Sequence, residues 1–219
     1  MSEREPDDAR FIARMAAGTT HEFRNVLAIV GESAGLIQDL IQMSGTPGVQ
    51  GHESVLRAVA RIEKQVARGA ELVSALNGLA HALDQECEGM DLADQARAAA
   101  VLCRHWTNQQ ERRITVAPTT GVQVRANRLE LYQLLAAAIE YAAQASPARG
   151  EVVITAMLRY DRPALWLRCA APDGDTPAPA AAPDGSGLGE TAAALGGSVE
   201  VEAGGRDVVI LFPGSPERA

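Results

Sequence analysis

A single lysine, Lys64, stands among 219 residues, so almost all positive charge rests on arginine. Basic residues number 20 against 28 acidic ones, a formal net charge of −8. That balance argues against nucleic acid or an acidic membrane surface as the partner. Cysteine is scarce too: Cys87, Cys103 and Cys169 are odd in number, far apart and without a C-x-x-C pair. They read as ordinary thiols of a reducing compartment. No N-terminal apolar core resembles a signal peptide, and no stretch approaches the roughly 20 apolar residues of a membrane span. A cytoplasmic location is therefore expected. What the chain does have is 47% hydrophobic residues, enough for one large domain or two small ones.

Periodicity organises the first third. Phe23, Leu27, Val30, Ala34, Ile37 and Ile41 are spaced 4, 3, 4, 3, 4, a heptad seam. The helix that carries it is expected to start near Pro6-Asp7-Asp8, where acidic residues suit the positive end of the dipole. It should run to about Met43, roughly 55 Å at 1.5 Å per residue. Ser44-Gly45-Thr46-Pro47-Gly48 breaks it. A second helix is expected from about His52 to Asp84, with a seam of Val55, Val59, Ile62, Val66, Gly69, Val73, Leu76, Ala80 and Leu83. Two long helices joined by a short loop form an antiparallel hairpin. One hairpin cannot enclose its own apolar stripe, so residues 1–86 are read as half of a homodimeric four-helix bundle.

From residue 87 to 219 the pattern changes. Helices are expected over Asp91–Gln109, Arg128–Ala145 and Gly189–Leu195. Strands are expected at Arg113–Ala117, Val122–Ala126, Glu151–Tyr160, Ala164–Ala170, Ser198–Glu202 and Asp207–Phe212. Asp161-Arg162-Pro163 and Gly204-Gly205 read as turns, and Pro172–Ser186 as an irregular loop. The fold class is thus α+β: a helical hairpin forming a dimeric bundle, followed by an α/β sandwich with one mixed sheet and helices on one face.

The chemistry concentrates at His21-Glu22-Phe23-Arg24-Asn25. With Phe23 at d and Leu27 at a, His21 falls at b, Glu22 at c and Asn25 at f, so all three are expected outside the core. His21 and Asn25, four residues apart, face a common ligand. An imidazole with an ordinary pKa near 6.5 is a nucleophile at neutral pH, which makes His21 a candidate phosphoryl carrier. A zinc site is not expected: the H-E-x-x-H motif needs a second His where Asn25 stands. His52, His81 and His105 share no metal-ligand spacing either. Ile29 and Leu36 fall at c positions below His21; they read either as an exposed docking patch beside Arg24 or as a widening of the bundle core.

The segment Ala16-Ala17-Gly18-Thr19-Thr20-His21-Glu22-Phe23-Arg24-Asn25-Val26-Leu27 resembles the phosphoacceptor box of bacterial sensor histidine kinases, and the order of elements resembles that family from about Arg10 to Pro213. The resemblance implies that His21 accepts a phosphoryl group, that Glu22 assists as base or hydrogen-bond acceptor, and that Asn25 orients the reacting water or acyl phosphate. It implies a nucleotide-binding second part, from which this chain departs. Where the family has an Mg²⁺-holding Asn, this sequence has Tyr141, and an upstream Asn is replaced by Ala137. Where the family has an adenine-reading Asp, Ala171 or Pro172 stands, with Asp173 next to them. The glycine box Gly185-Ser186-Gly187-Leu188-Gly189 is kept. A compact oxygen ligand is what Mg²⁺ requires, so neither ATP nor any other cofactor of its own is expected. The expected function is phosphoryl relay through His21 between response-regulator receiver domains, the receiver supplying Mg²⁺. A divergent active kinase, an adaptor that binds signalling partners without being phosphorylated, and a structural dimer in which His21 is incidental are the alternatives.

Overall fold

The structure, a computed structural model, describes residues 4–44, 49–84, 87–147, 149–170, 187–201 and 207–214. Helix α1 (Arg4–Ser44) and helix α2 (Val49–His81) form the hairpin, and a 3-10 turn at Ala82–Asp84 ends it. Buried residues on α1 repeat every seven positions at Thr19, Val26 and Ser33. On α2, Ala58, Gln65, Leu72 and Leu79 do the same. These rows lie one residue before the expected seam. The seam itself straddles the edge of the contact. Phe23, Val30 and Ile37 are half-buried, whereas Leu27, Ile41, Val59, Val66 and Val73 stay exposed in the single chain. A 3.6-residue helix lets adjacent rows serve two different neighbours, so one apolar stripe divides into an inner and an outer half.

Strand β1 (Glu88–Asp91) follows, then helix α3 (Leu92–Gln109), β2 (Arg113–Val116), β3 (Gln123–Ala126) and helix α4 (Arg128–Ala145). The chain continues through β4 (Glu151–Arg159), β5 (Arg162–Ala170), α5 (Leu188–Ala194), β6 (Ser198–Val201) and β7 (Asp207–Leu211). The main sheet runs β2-β4-β5-β7-β6, with β2 parallel to β4 and the other pairs antiparallel. One strand departs from expectation. β3 leaves this sheet and pairs with β1, whose Glu-Gly-Met-Asp sequence carries no strand signal. The β4–β5 turn also lies earlier than its proline suggests. Tyr160 and Asp161 hold φ of 53° and 56°, the two positive values of a type I′ hairpin. Pro163 is therefore inside β5, at a position just past the end of β7, where no strand asks for its missing N–H.

Alternation along the strands decides which face is covered. Val152, Ile154, Ala156, Leu165, Leu167, Val208 and Ile210 point to one side and pack beneath α3, α4 and α5. Among the described residues, the opposite side has a small cluster of Ala164, Val209 and Leu211 under Met157 and Trp166. Cys103 and Cys169 are buried and Cys87 is exposed; burial pushes the Cys103 thiol up to about 12.

The hairpin is not a free-standing rod on this domain. Met15, Ala75, Leu79 and Ala82 belong to the same continuous core as α3 and α4. Arg14 donates to both carboxylate oxygens of Glu140 on α4, at 3.0 and 3.1 Å, and lies 4.0 Å over the Trp106 ring of α3. Ala75, Leu79 and Ala82 lie one residue before members of the expected seam, so it is this inner row, not the seam itself, that the domain covers.

Asp91 sets where α3 begins. Its carboxylate accepts from the N–H groups of Ala93 at 3.0 Å, Asp94 at 3.2 Å and Gly121 at 2.7 Å. Partial burial works to raise its pKa, but those three N–H bonds and the Arg97 guanidinium bring it below 3.8. A lowered carboxylate stabilises the fold above its unfolded pKa and loses that effect as pH falls. Asp91→Ala should cost about 1 kcal/mol in urea unfolding at pH 7. The gap from the unaltered protein should close as pH drops below 3.8.

Candidate functional site

His21 lies midway along α1, on the side that faces the C-terminal end of α3. Immediately before it, Thr19 and Thr20 return their hydroxyls to the carbonyls of Met15 and Ala16, both at 2.8 Å, which lets Thr19 be buried without an unmet polar atom. Gly18 allows the close approach of α3. A Cβ placed there would lie 3.5 Å from the Cβ of His105 and 3.7 Å from its Cδ2. At this crossing the ring centroids of His21 and His105 are 4.7 Å apart, tilted by 51°.

The His21 ring is exposed. Its Nδ1 lies 3.4 Å from the carboxamide nitrogen of Asn25. A carboxamide presents a donor on one side and an acceptor on the other, so Asn25 serves either tautomer by rotating half a turn. With Asn25 accepting from Nδ1–H, the lone pair on Nε2 is available to a phosphorus atom.

Glu22 corrects the sequence reading. It is 5% exposed and turned inward, where it is ion-paired and hydrogen-bonded to Arg68 of α2. The expected c position is right as a count but not as an exposure, because at this level of α1 the c position turns toward Arg68 of α2. Glu22 does not hold the His21 ring; Asn25 does. The Glu22–Arg68 pair fixes the two helices against each other directly behind His21.

A cavity of about 580 Å³ opens at this place. His21, Asn25 and Ile29 of α1, Arg68 of α2, and His105, Asn108 and Gln109 of α3 lie along it, with Glu32 at its acidic margin. Gln109 Nε2 stands 3.1 Å from His105 Nε2. Of the expected docking residues, Ile29 is half-buried in the cavity wall, and Arg24 and Leu36 are exposed elsewhere on α1. Sequence reasoning missed Arg68, His105, Asn108 and Gln109. They lie 43 to 84 positions beyond Asn25, and only the packing of α2 and α3 against α1 brings them to His21.

The nucleotide positions give a different picture. Tyr141 is buried in the core shared by α3, α4 and the sheet, and Ala137 packs against the same core. Neither presents a compact oxygen to a cation, so these residues do not fit Mg²⁺·ATP. Gly187 precedes α5 with φ of 71°, and Gly189 lies within that helix. Ala171, Pro172, Asp173 and Gly185 are outside the described residues, as are the expected turn at Gly204-Gly205 and most of the breaker after α1. Among the described residues, no group of three or more His, Cys, Asp or Glu side chains is placed to hold a metal. No helix described is long and apolar enough to cross a membrane.

No family model matches the chain, and no curated protein matches it. Among solved structures it is similar to the Acinetobacter baumannii histidine kinase AdeS at 21% identity and a TM-score of 0.46, covering 88% of this chain and 96% of that one. It is similar to a bacterial phosphotransferase at 15% identity and a TM-score of 0.47, over 97% and 98% of the two chains. A third is the histidine kinase ThkA in complex with the response regulator protein TrrA, at 18% identity and a TM-score of 0.46, over 99% of this chain and 66% of that one.

Proposed function

We propose that the protein is a histidine phosphotransferase that relays a phosphoryl group between response-regulator receiver domains through His21, without ATP-dependent autophosphorylation. The observation that carries this reading is an exposed imidazole at the mouth of a cavity, with Nδ1 engaged by Asn25 and donor side chains around it. The Nε2 lone pair attacks the phosphorus of an aspartyl phosphate while Nδ1 keeps its proton. As the N–P bond forms, the P–O bond breaks and the aspartate leaves with the electron pair. A second receiver reverses the step with its own aspartate. The metal ion belongs to the receiver. This chain supplies nucleophile and position, and position accounts for much of such a barrier.

The outer apolar row of Leu27, Ile41, Val59, Val66 and Val73 fits a second copy of the hairpin, giving a homodimer with two relay sites. Arg24, Ile29 and Leu36 remain the receiver-docking residues in this reading, and the protein acts in the cytoplasm.

The test is to mix the purified protein with phosphorylated receivers. Acid-labile, alkali-stable label should appear on His21, located by mass spectrometry. Calorimetry should find ATP·Mg²⁺ binding no tighter than about millimolar, roughly −4 kcal/mol. Label acquired from ATP would make the protein a kinase. No label from any receiver would leave an adaptor.

A further inference from the structure

We propose that the α/β domain completes the phosphotransfer site: His105, in its protonated form, pairs with the phosphoryl oxygens of phosphorylated His21, assisted by the side chains of Asn108 and Gln109. This rests on the relay reading and assigns a chemical part to a domain whose nucleotide positions do not fit ATP.

The arrangement suits a tetrahedral oxyanion. Its centroid separation of 4.7 Å puts the His105 ring in contact with the ring that would carry the phosphoryl group. Asn108 and Gln109 follow it around the last turn of α3 and line the same cavity; Asn108 adds carboxamide N–H donors, and Gln109, 3.1 Å from His105 Nε2, accepts from the protonated ring once its carboxamide turns its oxygen inward. The cavity is large enough, at about 580 Å³, to take a phosphoryl group.

Charge around His105 favours it as the responding group. On α1 stand His21, Glu22 and Glu32; on α2, Arg68 and Glu71; on α3, Arg104 immediately before it. Glu22 is paired with Arg68, and Glu71 with Arg104 at 3.5 Å. Glu32 is 4.0 Å from Arg61. Each of the permanent charges thus has an opposite charge beside it. A dianionic phosphoryl group on His21 has no such counterpart until His105 takes a proton. An imidazole is the side chain that does so near neutral pH.

The kinetic consequence follows from the transition state. Loss of the phosphoryl group to water is loose, with the transferring group metaphosphate-like and less charged than the bound dianion. A cation therefore holds the bound state more than the transition state and lengthens its life.

The experiment phosphorylates the full chain from a phosphorylated receiver, removes the receiver and follows loss of label from pH 6 to 8.5. The intrinsic acid lability of phosphohistidine cancels in the ratio of the unaltered protein to His105→Gln. That ratio should be about three- to tenfold at pH 6 and should fall toward unity as the pH rises to 8.5 and the imidazole gives up its proton. His105→Lys should restore the long lifetime at pH 8.5, which a purely structural role of the ring would not predict. Equal lifetimes for the unaltered protein and His105→Gln at every pH overturn the proposal and leave the relay standing. Absence of label on the unaltered protein overturns both. A variant that loses label quickly but also melts early is judged by His105→Lys: a long lifetime at pH 8.5 supports the proposal, and a short one in a folded protein refutes it.

Discussion

His21→Gln abolishes label transfer, by at least about a hundredfold, and leaves stability within about 0.5 kcal/mol; this is the expected result for an exposed side chain with a chemical role. Glu22→Ala should do the reverse. The Glu22 side chain is 6% exposed and Arg68 28%, so removing the carboxylate strands a largely buried guanidinium. Breaking such a pair costs about 3–5 kcal/mol when fully buried; with Arg68 reaching water, about 2–3 kcal/mol is expected. Urea unfolding of the full chain measures this, and initial transfer rates below the transition measure the chemistry. A Glu22→Ala variant as stable as the original but unable to take label would return Glu22 to the reaction.

The other large effect concerns the join between hairpin and domain. Leu79 is 1% exposed in the core that also holds Met15, Leu131 and Leu135. Leu79→Asp buries a carboxylate with nothing to meet it, at about 3–5 kcal/mol, a large share of the stability of a domain. Because that core is shared, unfolding followed at Trp106 and unfolding followed by hydrogen exchange along α2 should shift together. Separate transitions would show two independently folding parts. Val66→Asp is the contrast: Val66 is 59% exposed in the single chain, so its main effect should be a loss of dimer in sedimentation. A Val66→Asp protein that sediments like the original would remove that row from the proposed interface.

The helices were legible because their signals are local. Apolar spacing located α1, α2 and α4, and Asp91 marked the start of α3 before any contact was known. Strands β4 and β7 showed themselves by β-branched content, and β5 by its short apolar run. What stayed hidden is what depends on distant residues. The one-residue offset of the buried rows is invisible in a stripe that reads as continuous apolar sequence. Strand β1 has no propensity of its own and exists because β3 lies beside it. At the site, the local motif gave His21 and Asn25, whereas Glu22 was misplaced because its partner, Arg68, is 46 positions away. His105 carried no signal at all: a histidine in an amphipathic helix looks the same whether or not another helix places a second imidazole against it.

Gly18 acts as a spacer by having no side chain. A methyl at that position would meet the His105 side chain in ordinary contact, 3.5 Å from its Cβ and 3.7 Å from its Cδ2, and a bulkier side chain is expected to press α1 away from α3. Glycine inside a helix costs about 0.5–1 kcal/mol relative to alanine, so the position favours proximity over helix stability. The gap between the two imidazoles is therefore graded by one residue that takes no part in the chemistry. Alanine would keep it nearly closed, and valine or leucine would open it in steps, giving a mechanical adjustment of the distance over which a domain can sense what is attached to the neighbouring helix.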